Sequence, residues 1–118
     1  VNGLQEKSYM EVEDCVNGIL HVMQHTDESL NLFNLGSHAT ASVRRIAEIV
    51  VEETGCLDAS IEYPGGDRGW AGDIPRAMLG IDKMMSTGYD VRFNSEAAIR
   101  HTTKALIQEI GITKEMKE

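Results

Sequence analysis

Cysteine is scarce: among 118 residues only Cys15 and Cys56 carry a thiol. Two cysteines cannot build a disulfide framework and their spacing fits no metal motif, so a reducing cytoplasm is the expected setting. Positive charge is also in short supply, with 11 Lys and Arg against 19 Asp and Glu for a formal net charge of −8. That balance lacks the excess of cations needed to grip nucleic acid or anionic lipid without sequence preference, and neither is an expected partner. Long apolar runs are missing, since nothing nears the ~20 residues of a membrane-spanning helix. The opening Val1-Asn2-Gly3-Leu4-Gln5-Glu6-Lys7 has neither the apolar core of a signal peptide nor the pattern of a basic presequence. It also lacks an initiator Met, which points to a processed or excised chain.

What is present suffices for a core. Hydrophobic residues make up 42% of the chain, and a domain of this length buries roughly two-thirds of its unfolded surface. Residues 1–118 read as a single unit of mixed α/β class, about four helices and three or four short strands. Ser8-Tyr9-Met10-Glu11-Val12 alternates as a strand, and Asp14 follows as an N-cap. Behind it, Cys15, Val16, Ile19, Leu20 and Met23, with Val22 as a further candidate, form the expected buried stripe of a helix that frays near Gln24-His25-Thr26. Leu30-Asn31-Leu32-Phe33-Asn34-Leu35 reads as a second strand and residues 37–41 as a polar loop. Ser42 caps the next helix, with Val43, Ile46, Ala47 and Val50 inward and Gly55 as its stop.

Ala59-Ser60-Ile61-Glu62-Tyr63 makes a third strand, broken by Pro64. From Gly65 to Pro75 four glycines and no helical period mark a loop. Asp82 caps a short helix through Met84 and Met85 that ends at Gly88. Asn94 or Ser95 caps the last helix, with Ala98, Ile99, Thr102, Ala105, Leu106 and Ile110 inward and Gly111 as its stop. Residues 114–118 are expected to fray. Three brief strands among four helices make a poor sheet alone, so the chain reads as built to pack on something else.

Several motifs invite chemistry and most do not hold it. Gly66-Asp67-Arg68-Gly69-Trp70-Ala71-Gly72 has a dinucleotide-like glycine spacing, but Asp73-Ile74-Pro75-Arg76 follows where a pyrophosphate-binding helix must open. His21 and His25 share a helix face and lack an evident third zinc ligand. Cys15 sits on the apolar stripe as a packing thiol, and Met84-Met85 reads as packing too. Glu13 and Asp14 are sequence neighbours that point apart, so they mark a solvated helix start rather than an acid/base pair. The glycine loop has another use: Arg68 offers a planar fork for phosphate oxygens, Asp73 can accept two adjacent sugar hydroxyls, and Trp70 lies between them. A solvated turn in which Arg68 merely pairs with Asp67 or Asp73 is the competing reading.

Taken in order, Lys7 to Val16, Phe33-Asn34-Leu35-Gly36, Ser42 to Ala47, Gly66 to Pro75, Ile81-Asp82-Lys83 and Gly88-Tyr89 resemble the C-terminal half of extended short-chain dehydrogenase/reductases. The likeness is to NAD-dependent sugar-nucleotide epimerases and dehydratases of the UDP-glucose 4-epimerase type, and it covers nearly the whole chain. The resemblance implies that the segments at Asp14 and Asn34–Gly36 join a Rossmann sheet. It further implies that Arg68 holds the diphosphate of a UDP- or dTDP-sugar, that Asp73 holds the ribose, and that Lys7 assists at the phosphate.

The family's Tyr-x-x-x-Lys is missing, because the residues four beyond Tyr9, Tyr63 and Tyr89 are Glu13, Asp67 and Phe93. The nucleotide-binding fingerprint is missing as well. The implied picture is a substrate-binding piece, inactive alone, whose parent carries NAD on an N-terminal Rossmann portion and can form a homodimer. No cofactor or metal is expected on the piece itself. A 4,6-dehydratase parent, or a separate non-catalytic module that binds a nucleotide sugar or a partner, are the alternatives.

Overall fold

Two capped helices laid side by side organise one end of the molecule. The computed structural model describes residues 2–111. Ser42 Oγ accepts from Arg45 N at 3.0 Å and opens Val43–Thr54 (α2), which stops at Gly55 in the left-handed region. Asn94 Oδ1 accepts from Ala97 N and opens Ser95–Ile110 (α4), which stops at Gly111 in the same way. The two helices pack together, and Arg45 and Arg100 lie between them. Arg45 reaches Glu48, Glu52 and Glu96, while Arg100 reaches Glu52 and Glu53.

The expected caps and stops are where the sequence reading put them, but the inward faces differ. Ile49 is fully buried in α2 while Val50 is exposed; in α4 Ala98 and Thr103 are buried while Thr102, Ala105, Leu106 and Ile110 are exposed. Only part of each apolar stripe finds cover within the chain.

The first helix, Val12–Gln24 (α1), starts two residues before Asp14. Glu11 is its cap, because the longer carboxylate folds back to accept from Glu13 N at 2.8 Å and Asp14 N at 3.1 Å. Asp14 is thereby released for a tie far along the chain. It is 1% exposed and accepts from Arg92 Nε at 2.6 Å and from the amides of Arg92 and Phe93. Tyr89 Oη donates to the Asp14 carbonyl, and its ring lies on Gly18, where a Cβ would meet it at 3.0 Å. The inward face of α1 is therefore Asp14, Gly18 and Val22, one turn apart each time. Of the predicted buried stripe Val22 is buried and Cys15 partly so, while the rest points outward: Val16, Ile19, Leu20 and Met23 are 46–70% exposed.

The sheet is small and lies elsewhere than the sequence alternation suggests. Glu6–Lys7 (β1) is central, antiparallel to Ala41–Ser42 (β2) and parallel to Arg76–Ala77 (β3). None of the three predicted strands at 8–12, 30–35 and 59–63 joins a ladder among the described residues. Alternation marks a segment able to pair, and pairing needs a neighbour that these segments do not have here. Leu30 and Leu32 are about 80% exposed as a result.

The short helix Asp82–Ser86 (α3) buries Met84, and Asp82 makes no cap bond. Residues 37–41, read as a polar loop, contain a buried knot instead. Ser95 Oγ donates to Ala39 O and accepts from Tyr9 N, and Ser37 Oγ donates to Phe93 O. The predicted frayed tail lies outside the described residues. No described helix is long and apolar enough to cross a membrane.

Candidate functional site

The glycine loop is held at both ends by one short stretch of chain. Asn2 N donates to Gly66 O at 2.6 Å and Glu6 N donates to Pro75 O at 2.8 Å. Between these bonds Leu4 N turns away to Asn2 Oδ1, so residues 66–75 arch over the approach to β1 rather than pairing along it. Inside the arch Asp73 N bonds Trp70 O at 3.0 Å, closing a turn. Bends and turns run from Asp67 directly into β3, and no helix opens behind Gly72. The spacing that mimics a dinucleotide fingerprint thus lacks the helix amides that a pyrophosphate needs.

Asp73 is the anchor of the arch. Its Oδ1 accepts from Lys7 Nζ at 2.7 Å, and its Oδ2 accepts from Gly69 N at 3.2 Å. The Lys7 ammonium, followed by the Gly69 amide, holds the Asp73 carboxyl below its usual range, and Asp73 in turn raises Lys7. Lys7 and Asp73, read from the sequence as separate phosphate and ribose contacts, are brought together as one pair.

Arg68 makes a single long hydrogen bond, Nη1 to Ala71 O at 3.4 Å, and no ion pair among the described residues. The competing expectation, that it pairs with Asp67 or Asp73, does not hold. Trp70 is 71% exposed and its ring lies over Gly72, where an added Cβ would come within 2.3 Å of Cζ3. The loop thus presents an unpaired guanidinium and an indole to solvent beside a shared ammonium–carboxylate pair.

Two cavities flank β1. One, of about 250 Å³, is lined by Lys7, Ser8, Met10, Leu35, Gly36 and residues 77–79. The other, of about 260 Å³, lies beneath the arch among Asn2, Leu4, Gln5, Asp67, Pro75 and Arg76. Gln5 was not singled out by the sequence reading. The available signal was its spacing of two from Lys7, which places both on one face of an extended segment. A larger groove of about 380 Å³ lies between α1 and the 31–35 segment, lined by Ile19, Val22, Met23, Phe33 and Leu35 among others.

The remaining candidates are spoken for. His21 and His25 stack with ring centroids 3.9 Å apart, His21 Nε2 contacting Thr87 O and His25 Nδ1 contacting His21 O. No cluster of three or more metal-ligating groups occurs among the described residues. Glu13 and Asp14 both meet Arg92 and so serve structure. Met84 is buried, and Cys15 is partly buried.

No protein-family model and no curated protein matches the chain. Among solved structures it is similar to the crystal structure of a UDP-galactose 4-epimerase, with 28% sequence identity and a TM-score of 0.73. The match covers 90% of this chain and 35% of that one, so this chain spans about a third of the epimerase's length. The mixed α/β arrangement of four helices and a three-stranded sheet is therefore a sugar-nucleotide epimerase-like fold.

Proposed function

We propose that the chain is the substrate-binding C-terminal part of an NAD-dependent sugar-nucleotide epimerase of the extended short-chain dehydrogenase/reductase family. In this reading it grips the nucleotide diphosphate while the reaction is carried out on polypeptide N-terminal to it. The likeness to a UDP-galactose 4-epimerase over 90% of the chain carries the reading and favours an epimerase over a dehydratase. Support also comes from the surface. The outward apolar face of α1, with Val16, Ile19, Leu20 and Met23, is the surface that a Rossmann portion would cover.

At the loop, Arg68 would take the diphosphate as a bidentate fork, and Lys7 would add a point charge. An ammonium has three donors, so Lys7 can keep Asp73 while donating to a phosphate oxygen. Asp73 retains lone pairs for a ribose diol, and Trp70 offers an aromatic face to the nucleotide. Among the described residues NAD finds no fit, because the glycine-rich turn at 65–72 lacks the helix that a pyrophosphate needs. Hydride and proton transfer are therefore assigned to no residue of this chain.

Calorimetric titration tests the assignment. UDP-glucose should bind the chain and NAD should not, and Arg68→Ala should weaken UDP-glucose about tenfold, as expected for one charge-assisted contact. In a full-length parent the same substitution should raise KM with kcat held, since phosphate contacts are made equally in ground and transition states. Absence of UDP-glucose binding, or an unchanged affinity in Arg68→Ala, would sink the assignment.

A further inference from the structure

Arg44 and Tyr63 meet beside the upstream foot of the arch, where Asn2 N donates to Gly66 O. The Arg44 guanidinium carbon lies 4.6 Å from the centre of the Tyr63 ring, within cation–π range. Arg44 Nη2 donates to Asn2 O at 3.4 Å, and the Arg44 amide donates to Gly3 O at 2.9 Å. Gly3 is buried at φ 76°, and its Cα lies so near Tyr63 that an added Cβ would come within 2.5 Å of Cε1. Residues 2 and 3 are thus held by a side chain of α2 and by the ring that precedes the arch.

Pro64 and Gly65 join Tyr63 to Gly66, and both glycines are left-handed, at φ 94° and 83°. No helix or strand sets the course of this connection. Further on, the Gly69 amide on Asp73 steadies the far side of the turn. Arg68 stands between, with one long hydrogen bond and no ion pair among the described residues, so its placement follows the two supports.

We infer that Arg44 and Tyr63 are positioning residues for nucleotide binding: they clamp residues 2 and 3 at the foot of the arch and so set where Arg68 stands. The inference rests on the proposed grip of Arg68 on a diphosphate and deepens it. A phosphate contact made from a loop that must first be ordered gives up affinity to that ordering, and the clamp removes this cost in advance.

The experiment titrates UDP into the 118-residue chain and its Tyr63→Ala, Tyr63→Phe, Arg44→Met and Arg68→Ala variants, and into the double variant Tyr63→Ala, Arg68→Ala. Tyr63→Ala should weaken UDP about tenfold, the cost of re-ordering roughly one loop residue. Arg44→Met keeps a stem, loses the cation and should weaken UDP about threefold. Tyr63→Phe keeps the ring and should stay within about twofold of the original. In the Arg68→Ala background, Tyr63→Ala should cost less than about a further twofold, because the residue through which it acts is gone. A further tenfold there would mean that Tyr63 supports the fold at large, and the inference fails. Unchanged affinity in both Tyr63→Ala and Arg44→Met also overturns it. Arg44 is exposed, so its variant retains the fold and decides the matter through the same cycle if Tyr63→Ala does not fold. If the original chain does not bind UDP, the nucleotide reading itself falls and takes this inference with it.

Discussion

Asp14 and Asp73 are both carboxylates tied to a cation more than sixty residues away, and the contrast between them separates the frame of this molecule from its working loop. Asp14 is 1% exposed and receives three donors from Arg92 and Phe93, two of them backbone amides. Asp73 receives one flexible ammonium and one amide, within a loop whose residues 65–72 are all exposed. The first arrangement is buried, so a newcomer does not reach the carboxylate. The second has spare acceptor capacity and a cation that can turn. Rigid support holds the helix start, and exchangeable charge lies on the exposed loop that we propose binds the nucleotide.

The comparison can be broken at several points. Asp14→Ala should have the largest effect. It strands the Arg92 and Phe93 amides, while the half-exposed Arg92 guanidinium keeps Glu11 and Glu13, and each amide left unsatisfied costs about 1–3 kcal/mol. Urea denaturation should show that loss, or outright unfolding, and a change below about 1 kcal/mol would mean that the tie is not the frame. Gly72→Ala should leave stability nearly unchanged but push the Trp70 ring off the loop, since the new Cβ would overlap it. Trp70 is the sole tryptophan, so its emission maximum reports the displacement directly. An unchanged spectrum would mean that the ring does not rest there in solution.

The smallest effect is that of acid on the arch. The Asp73 carboxyl is lowered in the folded chain, so its tie to Lys7 contributes fully above the unfolded value near 4 and is lost as pH falls through the folded value. Protection of the Gly69 amide should follow the Asp73 carboxylate and decline only below the ordinary carboxylate range. A decline centred near pH 6 to 7 would implicate another group.

Local stereochemistry was legible in the sequence wherever a helix begins or ends with a side chain suited to the task. Ser42, Asn94, Gly55 and Gly111 act within a turn of their own positions, and each is where composition placed it. Asp14 was misplaced because a longer acid three residues earlier could reach the same amides. That Arg68, Trp70 and Asp73 share one loop was legible too, but not that Lys7 and Asp73 meet. Gln5 escaped notice because a spacing of two from Lys7 says only that both share one face of an extended segment; its burial without a partner appears only in the fold.

By itself the sequence determined the mixed α/β class, the ends of α2 and α4, the glycine-rich loop and the residue types available on it, since these depend on backbone conformations and contacts within a few residues. Tertiary structure alone decided which face of α1 turns inward, which segments pair as strands, and which cation answers which carboxylate. Periodicity announces that an apolar face exists without saying what covers it. Val16, Ile19, Leu20 and Met23 stand outward because the space on the inner side of α1 is taken by Arg92, Tyr89 and the segment that carries them.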